Sequence, residues 1–317
     1  MIDVEAIEAR AESRVRIGFS RLGYELREVG WSNHDLGDVA GRTVMITGAT
    51  EGIGRAAAER LALLGAHTVL IARNPEKLAA VAQEIREHTG SDAVEAVTCD
   101  LSSLASVRAA AAEILDRFPA IHVLVNNAGV MRHERTETAD GYETVWATNI
   151  LGPYVLTELL LERIVASAPS RVIEVSSGGM LSERIDVEDS QTLAREYLGA
   201  PVYARTKRAQ VIVTEERARQ YGDRGVVFHA LHPGWAATPG VFATMADFAA
   251  RYGDILRTPM QGADTTVWLA CAGEPAHSNG LFWHDRRPRA THRDDSTRET
   301  PAERARLIGL LREQGGL

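Results

Sequence analysis

Cysteine is scarce: Cys99 and Cys271 are the only two in 317 residues. Two thiols make neither a disulfide framework nor a thiolate metal site, so both read as structural, and a reducing, cytoplasmic location is expected. Long apolar runs are missing as well. The richest stretch, VLTELLLERIV from Val155 to Val165, is broken by Glu158, Glu162 and Arg163, so no transmembrane segment is expected. The N-terminus mixes acids and bases from its third residue and lacks the apolar centre of an export signal. A basic excess is absent: 35 Lys and Arg stand against 43 Asp and Glu, a net charge of −8. Binding to a phosphate backbone needs a dominant cationic face, so nucleic acid is not an expected partner. The ten histidines form no ligand pair on one helix, and no metal is expected. Nothing repeats, and no low-complexity linker divides the chain.

With 45% hydrophobic and 25% charged residues the chain can bury a sizeable core. From residue 41 it alternates between two periodicities. RTVMIT (Arg42 to Thr47) is a short apolar run closed by glycine, and GRAAAERLALLGA (Gly54 to Ala66) follows with helical spacing and a Gly65 stop. HTVLIA, AVEAVTCD, IHVLVNN, SRVIEVSS and VVFHALHPG read as further strands between helical stretches. Such alternation predicts an α/β fold, a doubly wound parallel sheet covered on both faces, because parallel strands need crossover helices. It spans residues 41–290. An N-terminal arm, 1–40, carries an imperfect helical stripe of Ile2, Val4, Ile7, Val15, Ile17 and Phe19. The stripe could pack on the domain, a second subunit or a membrane surface, and packing on protein is the preferred reading. A tail, 291–317, carries a short helix.

TGATEGIG (Thr47 to Gly54) lies between the first strand and the first helix. Gly48, Gly52 and Gly54 let the backbone turn tightly and approach a pyrophosphate at the helix N-terminus, where unpaired N–H groups attract anions. Glu51 places a negative charge beside that turn. Arg73 ends the second strand, 19 residues after Gly54, where an NAD-selective domain usually places an acid on the ribose 2′-hydroxyl. A guanidinium there can grip a 2′-phosphate, so NADP(H) is expected, with NAD open. Tyr203 and Lys207 stand one helical turn apart, so an ammonium can lie beneath the phenol and favour its ionised form. Further on, Phe242, Met245, Phe248, Tyr252 and Leu256 fall at helical spacing, and such a face over a site suits an apolar ligand. Arg286, Arg287 and Arg289 form a small basic patch that reads as a solvated tail segment.

In the order they occur, TGATEGIG, NNAG (Asn126 to Gly129), NIL at Asn149, VSS at Ser176 and Ser177, the Tyr203 and Lys207 pair, and HPGWAAT resemble the short-chain dehydrogenases/reductases. Four longer segments, LGYELREV, VSSGGML, HPGWAATPGV and WHDRRPRATH, resemble one branch of that family more closely. The resemblance implies a Rossmann-like fold and a reacting set of Asn149, Ser177, Tyr203 and Lys207. It implies a cofactor cradle from Gly48, Thr50, Glu51, Gly52, Ile53 and Gly54, with Arg73, Asp100 and Leu101 towards the adenosine. Asn127, Ala128, Gly129, Pro233, Gly234 and Thr238 would join Tyr203 and Lys207 near the nicotinamide. By the same resemblance Lys207 holds the nicotinamide ribose and Asn149 organises a water linking the lysine to solvent. Adjacent residues at a strand end face opposite ways, and the resemblance selects Ser177 over Ser176 as hydrogen-bond donor to the reacting oxygen.

Ser177 lies 26 residues before Tyr203, which implies an inserted loop at the substrate mouth. Hydride transfer between NADP(H) and a small hydrophobic carbonyl compound or alcohol is the expected activity, and a homo-oligomer is compatible with it. Two other readings remain open on the residues: a nucleotide-binding sensor or scaffold without turnover, and an epimerase or dehydratase that uses the hydride transiently.

Overall fold

Residues 15–32 and 36–317 are described by the computed structural model. Eight strands form one sheet: β1 (Thr43–Thr47), β2 (His67–Ala72), β3 (Val94–Thr98), β4 (Val123–Asn126), β5 (Ser170–Val175), β6 (Val226–Leu231), β7 (Leu281–His284) and β8 (Arg287–Arg289). Their spatial order is β3-β2-β1-β4-β5-β6-β7-β8. Every pairing is parallel except the last, between β7 and β8. All five residues of β1 and all six of β5 are buried, as expected for strands covered on both faces. Successive side chains alternate sides: Met45 joins one core cluster, while Val44 and Ile46 join the other.

Two short helices, α1 (Val15–Gly18) and α2 (Arg21–Glu28), precede the sheet. The crossovers are α3 (Gly52–Leu63), α4 (Pro75–Thr89), α5 (Leu104–Arg117), a turn α6 (Thr144–Trp146) leading into α7 (Gly152–Ala166), and α8 (Gly199–Tyr221). After β6 come α9 (Pro239–Thr244), α10 (Ala246–Tyr252) and α11 (Pro259–Cys271), and α12 (Pro301–Gly315) follows β8. Among the described residues no helix is long and apolar enough to cross a membrane. The strand order reverses between β1 and β4, and a crevice opens beyond the carboxyl ends of these strands.

Several elements differ from what local pattern suggests. The tail helix α12 is 15 residues long, closed by a Thr300–Glu303 capping box, and Leu307, Leu310 and Leu311 are part of the core. The stripe expected on one helix after Thr238 is broken at Met245, which has φ −132° and ψ 48°. Phe248 and Tyr252 pack on Trp235 at 4.9 and 5.1 Å, Leu256 is buried, and Phe242 faces solvent. Arg286 is not a solvated tail residue: it pairs with Asp264 at 2.7 Å and lies 4.4 Å over Trp31. Of the arm's stripe, Ile2, Val4 and Ile7 lie outside the described residues. Phe19 is buried against the body, whereas Leu22, Leu26 and Val29 face outward.

The arm is held by a buried ion cluster. Asp285 accepts from Arg27 at 2.6 Å and from both terminal nitrogens of Arg257 at 2.5 and 2.8 Å. Burial pushes its carboxyl up, but His284 and the Arg257 and Arg27 guanidiniums outweigh that and hold it well below the usual carboxylate range. The cluster's contribution to stability is therefore fully present above about pH 4 and is lost only on further acidification. Asp285→Ala strands two buried guanidiniums and is expected to cost about 3–5 kcal/mol in urea denaturation. A loss under about 1 kcal/mol would mean that the arginines find water instead.

Candidate active site

The floor of the crevice is stitched by Thr47 at the end of β1. Its hydroxyl accepts from the backbone N–H groups of Asn127 and Ala128, each at 3.0 Å, and Asn127 Nδ2 donates to Thr47 O at 2.9 Å. Gly48 and Gly52 have φ of +67° and +55°, the left-handed region open to glycine. A Cβ on Gly54 would fall 2.4 Å from both Asn127 Nδ2 and Gly48 O, so the turn closes only with glycine there. Glu51, at the N-cap of α3, makes no side-chain cap bond. The first-turn N–H groups are thus left for an external acceptor. Its carboxylate pairs instead with Lys77 on α4, which offsets the negative charge beside the turn.

Around this turn, Ile53 packs with the core face that contains α11, and a Cβ on Gly52 would sit 3.1 Å from Thr238 Cγ2. Thr50 lies half-buried in the turn, and Arg73 is exposed just beyond β2. Asp100 accepts from the Ser102 N–H and hydroxyl at 2.9 and 2.7 Å, while the Leu101 side chain is buried in the core. On the far wall Gly234 has φ +78°, with Arg257 stacked where a Cβ would go, and Pro233 O accepts from Arg257 at 3.4 Å. Thr238 accepts from Val241 N at 3.3 Å and so starts α9.

Tyr203 and Lys207 share one face of α8, with Lys207 Nζ 5.5 Å from the phenol ring centre and donating to Val175 O at 2.8 Å. A Cβ on Gly129 would lie 3.2 Å from that Nζ and 3.5 Å from Asn149 Oδ1, so the NNAG segment, the lysine and Asn149 come together. Asn149 stands in a π-helical turn, Ala147–Leu151, between α6 and α7. Its side chain accepts from Val130 N at 2.7 Å and donates to Val130 O and Thr206 Oγ1 at 2.9 and 3.0 Å. Its backbone carbonyl takes Gln210 Nε2 at 3.1 Å. The two serines do face apart: buried Ser176 donates to Lys207 O at 2.8 Å, whereas half-exposed Ser177 accepts from Gly179 N at 3.2 Å and lies beside Tyr203.

Burial dominates the electrostatics here. The Lys207 ammonium is pushed down to about 8 by desolvation, against the pull of Glu174. Desolvation raises the Tyr203 phenol above its ordinary value, with Ser177 opposing. The direction is thus the opposite of the lowering expected from the spacing to Lys207, because burial sets it.

An open cleft of about 400 Å³ lies between Met131, Arg132, His133, Glu134 and Thr136, in the segment after NNAG, and Ala243 and Thr244. The inserted loop borders this region. Arg135 donates to Gln191 O at 2.9 Å, Glu143 N to Gln191 Oε1 at 2.7 Å, and Tyr197 OH to Glu143 at 3.0 Å.

Residues 42–247 match the family model described as short chain dehydrogenase. The chain belongs to this family. It is 39% identical over 301 residues to the dehydrogenase/reductase SDR family member 12 of Bos taurus, covering 93% of each chain. It is 36% identical to the human retinol dehydrogenase 13 over 292 residues, covering 87% of this chain and 88% of that one. A solved structure from Mycobacterium paratuberculosis superposes with a TM-score of 0.73 at 29% identity, covering 90% of this chain and 98% of that chain. The chain thus has the Rossmann-like fold of this family.

Sequence reasoning missed several groups in this dehydrogenase. Thr47 was visible in the glycine motif, but its role as acceptor for two backbone N–H groups depends on β4 lying alongside. Glu174 on β5 is buried, accepts from Asn126 at 2.7 Å and Gln210 at 3.2 Å, and lies 3.7 Å from Arg217. A lone acid in an apolar strand, EVSS after RVI, was the available signal. Lys77 meets Glu51 across 26 residues, with nothing local to announce it.

Proposed function

We propose that this short-chain dehydrogenase is an NADP(H)-dependent oxidoreductase that interconverts a hydrophobic carbonyl compound and its alcohol. One arrangement carries the reading: Tyr203 and buried Lys207 share one face of α8 with the ammonium 5.5 Å from the phenol ring centre, and Gly129 and Asn149 close on the same lysine while Ser177 lies beside the phenol. The nicotinamide, when bound, supplies or accepts the hydride. Negative charge then grows on the carbonyl oxygen, where Tyr203 gives its proton and Ser177 a hydrogen bond. A phenol raised by burial stays protonated at neutral pH, the state a proton donor needs.

Asn149 supports the set by bridging Val130 to Thr206, which lies between Tyr203 and Lys207. The uncapped N-terminus of α3 and the glycine turn fit a pyrophosphate. Gly48, Thr50, Gly52, Ile53 and Gly54 would hold it, Asp100 and Leu101 would flank the adenine, and Asn127, Ala128, Gly129, Pro233, Gly234 and Thr238 would hold the nicotinamide half. Exposed Arg73, with no acid at the end of β2, supports NADP over NAD, and the pairing of Glu51 with Lys77 offsets the charge that would oppose a phosphate. The apolar character of the substrate is supported by the likeness to a retinol dehydrogenase. The helices after Thr238 do not carry that inference, since Phe248 and Tyr252 pack on Trp235.

Fluorescence titration with NADPH and NADH, followed by cofactor oxidation against apolar aldehydes and ketones, tests the reading; binding without turnover across the panel counts against it. Tyr203→Phe should lower kcat by about a hundredfold or more while NADPH affinity is kept. Arg73→Ala should weaken NADPH about tenfold more than NADH, and equal losses would remove Arg73 from cofactor selection. Lys207 carries its charge below about 8 and loses it above. The reductive kcat/KM should therefore fall as pH rises through that value, and a profile flat to about pH 9.5 would separate activity from the Lys207 charge.

A further inference from the structure

We propose that Phe19, in the arm before the sheet, is a positioning residue for Ser177, acting through His232 and the Gly178 turn. Ser177 caps the 3-10 turn Gly178–Ser182, so the direction of its hydroxyl follows the path of that turn. The turn is fixed from outside at its start by Gly178 N–H, which donates to His232 Nδ1 at 2.8 Å, and at its middle by Arg208, which donates to Met180 O at 2.7 Å. An Nδ1 that accepts must carry a lone pair, which places the imidazole hydrogen on Nε2.

That Nε2 is buried and has no hydrogen-bond partner. It meets Phe19, whose ring centre lies 4.2 Å from the imidazole centre at an interplanar angle of 71°. The two rings stand edge to face, a packing that fixes the imidazole against the Phe19 ring. The three residues touch: a Cβ on Gly178 would fall 2.5 Å from Phe19 Cε2 and 2.9 Å from His232 Nε2. A protonated imidazole would lose the Nδ1 lone pair, and burial, with His284 and Arg257 beside it, keeps His232 neutral.

Phe19 is itself rigidly placed. Its carbonyl accepts from Trp235 N at 2.7 Å, and the preceding Gly18 O accepts from Arg27 at 2.9 Å and Arg257 at 3.3 Å, the two arginines that share Asp285. The next carbonyl, Ser20 O, accepts from Arg257 Nε at 3.3 Å. The ring is thus anchored on both sides along the backbone, and its far edge sets where Gly178 can lie.

The test uses the full chain in two arms, of which only the kinetic one rests on the oxidoreductase reading. In hydrogen exchange, Phe19→Ala should speed the amides of residues 177–182 about tenfold while β5 and α8 keep their protection; unchanged exchange overturns the proposal. In kinetics, Phe19→Ala should lower kcat about tenfold in the native background and leave it unchanged in the Ser177→Ala background. The same factor in both backgrounds shows that Phe19 does not act through Ser177 and also overturns it. Phe19→Leu, which keeps most of the volume without the aromatic face, provides both readouts where the alanine variant does not fold. Absence of turnover in the native enzyme counts against the oxidoreductase reading alone, because the exchange arm still decides the role of Phe19.

Discussion

Parallel pairing is the constraint from which the site follows. Strands that run the same way cannot be joined by hairpins, so each returns through a helix and every strand delivers its carboxyl end to one edge of the sheet. Between β1 and β4 the winding reverses, and the segments that follow part to leave a crevice. The glycine turn after β1, NNAG after β4, the serines after β5 and the Pro233–Gly234 segment after β6 all arrive there because they share this polarity. Their convergence needs no contact among them in sequence.

Removal of water then sets the chemistry of the crevice. Lys207 is buried and Tyr203 half-buried on α8, and desolvation pushes the two groups in opposite directions, the ammonium down and the phenol up. Both shifts favour neutral forms, as a low-dielectric site dictates. Glu174 is the counterweight. It is buried on the neighbouring strand, bonded to Asn126 and Gln210, and it opposes the loss of charge on Lys207. Its own carboxyl is raised by burial, with Arg217 opposing most strongly. The lysine's charge is thus balanced between removal from water and an acid that shares the same dry layer.

Legibility in the sequence followed the range of the interactions. Periodicity exposed β1, β2, β4, β5 and β6 because each strand's apolar pattern is a local property. The glycine turn was readable because left-handed backbone demands glycine at Gly48 and Gly52 whatever surrounds it. Tyr203 and Lys207 were readable because one helical turn fixes their relation. The direction of the Tyr203 shift was not, since it depends on burial by segments from elsewhere in the chain. Nor was the break at Met245, where helical spacing continues through a residue whose backbone leaves the helix. Asn149 was legible as a member of a motif, but its partners Val130 and Thr206 lie 19 and 57 residues away.

The family match covers 42–247, and the proposed reacting groups, Asn149, Ser177, Tyr203 and Lys207, all lie inside it. Much of what braces them does not. Arg257 holds the Gly234 turn, Asp285 binds Arg257 together with Arg27, and Phe19 lies against Gly178 and His232. Arg27 and Asp285 are 258 residues apart, so the clasp joins the two flanks of the matched segment to each other behind the Pro233–Gly234 turn. A buried carboxylate shared by two guanidiniums is costly to desolvate and is tolerated only when each charge is answered. Here the answer comes from both ends of the chain at once, and the arm and the segment after β7 become part of the wall on which Ser177 and Thr238 are carried.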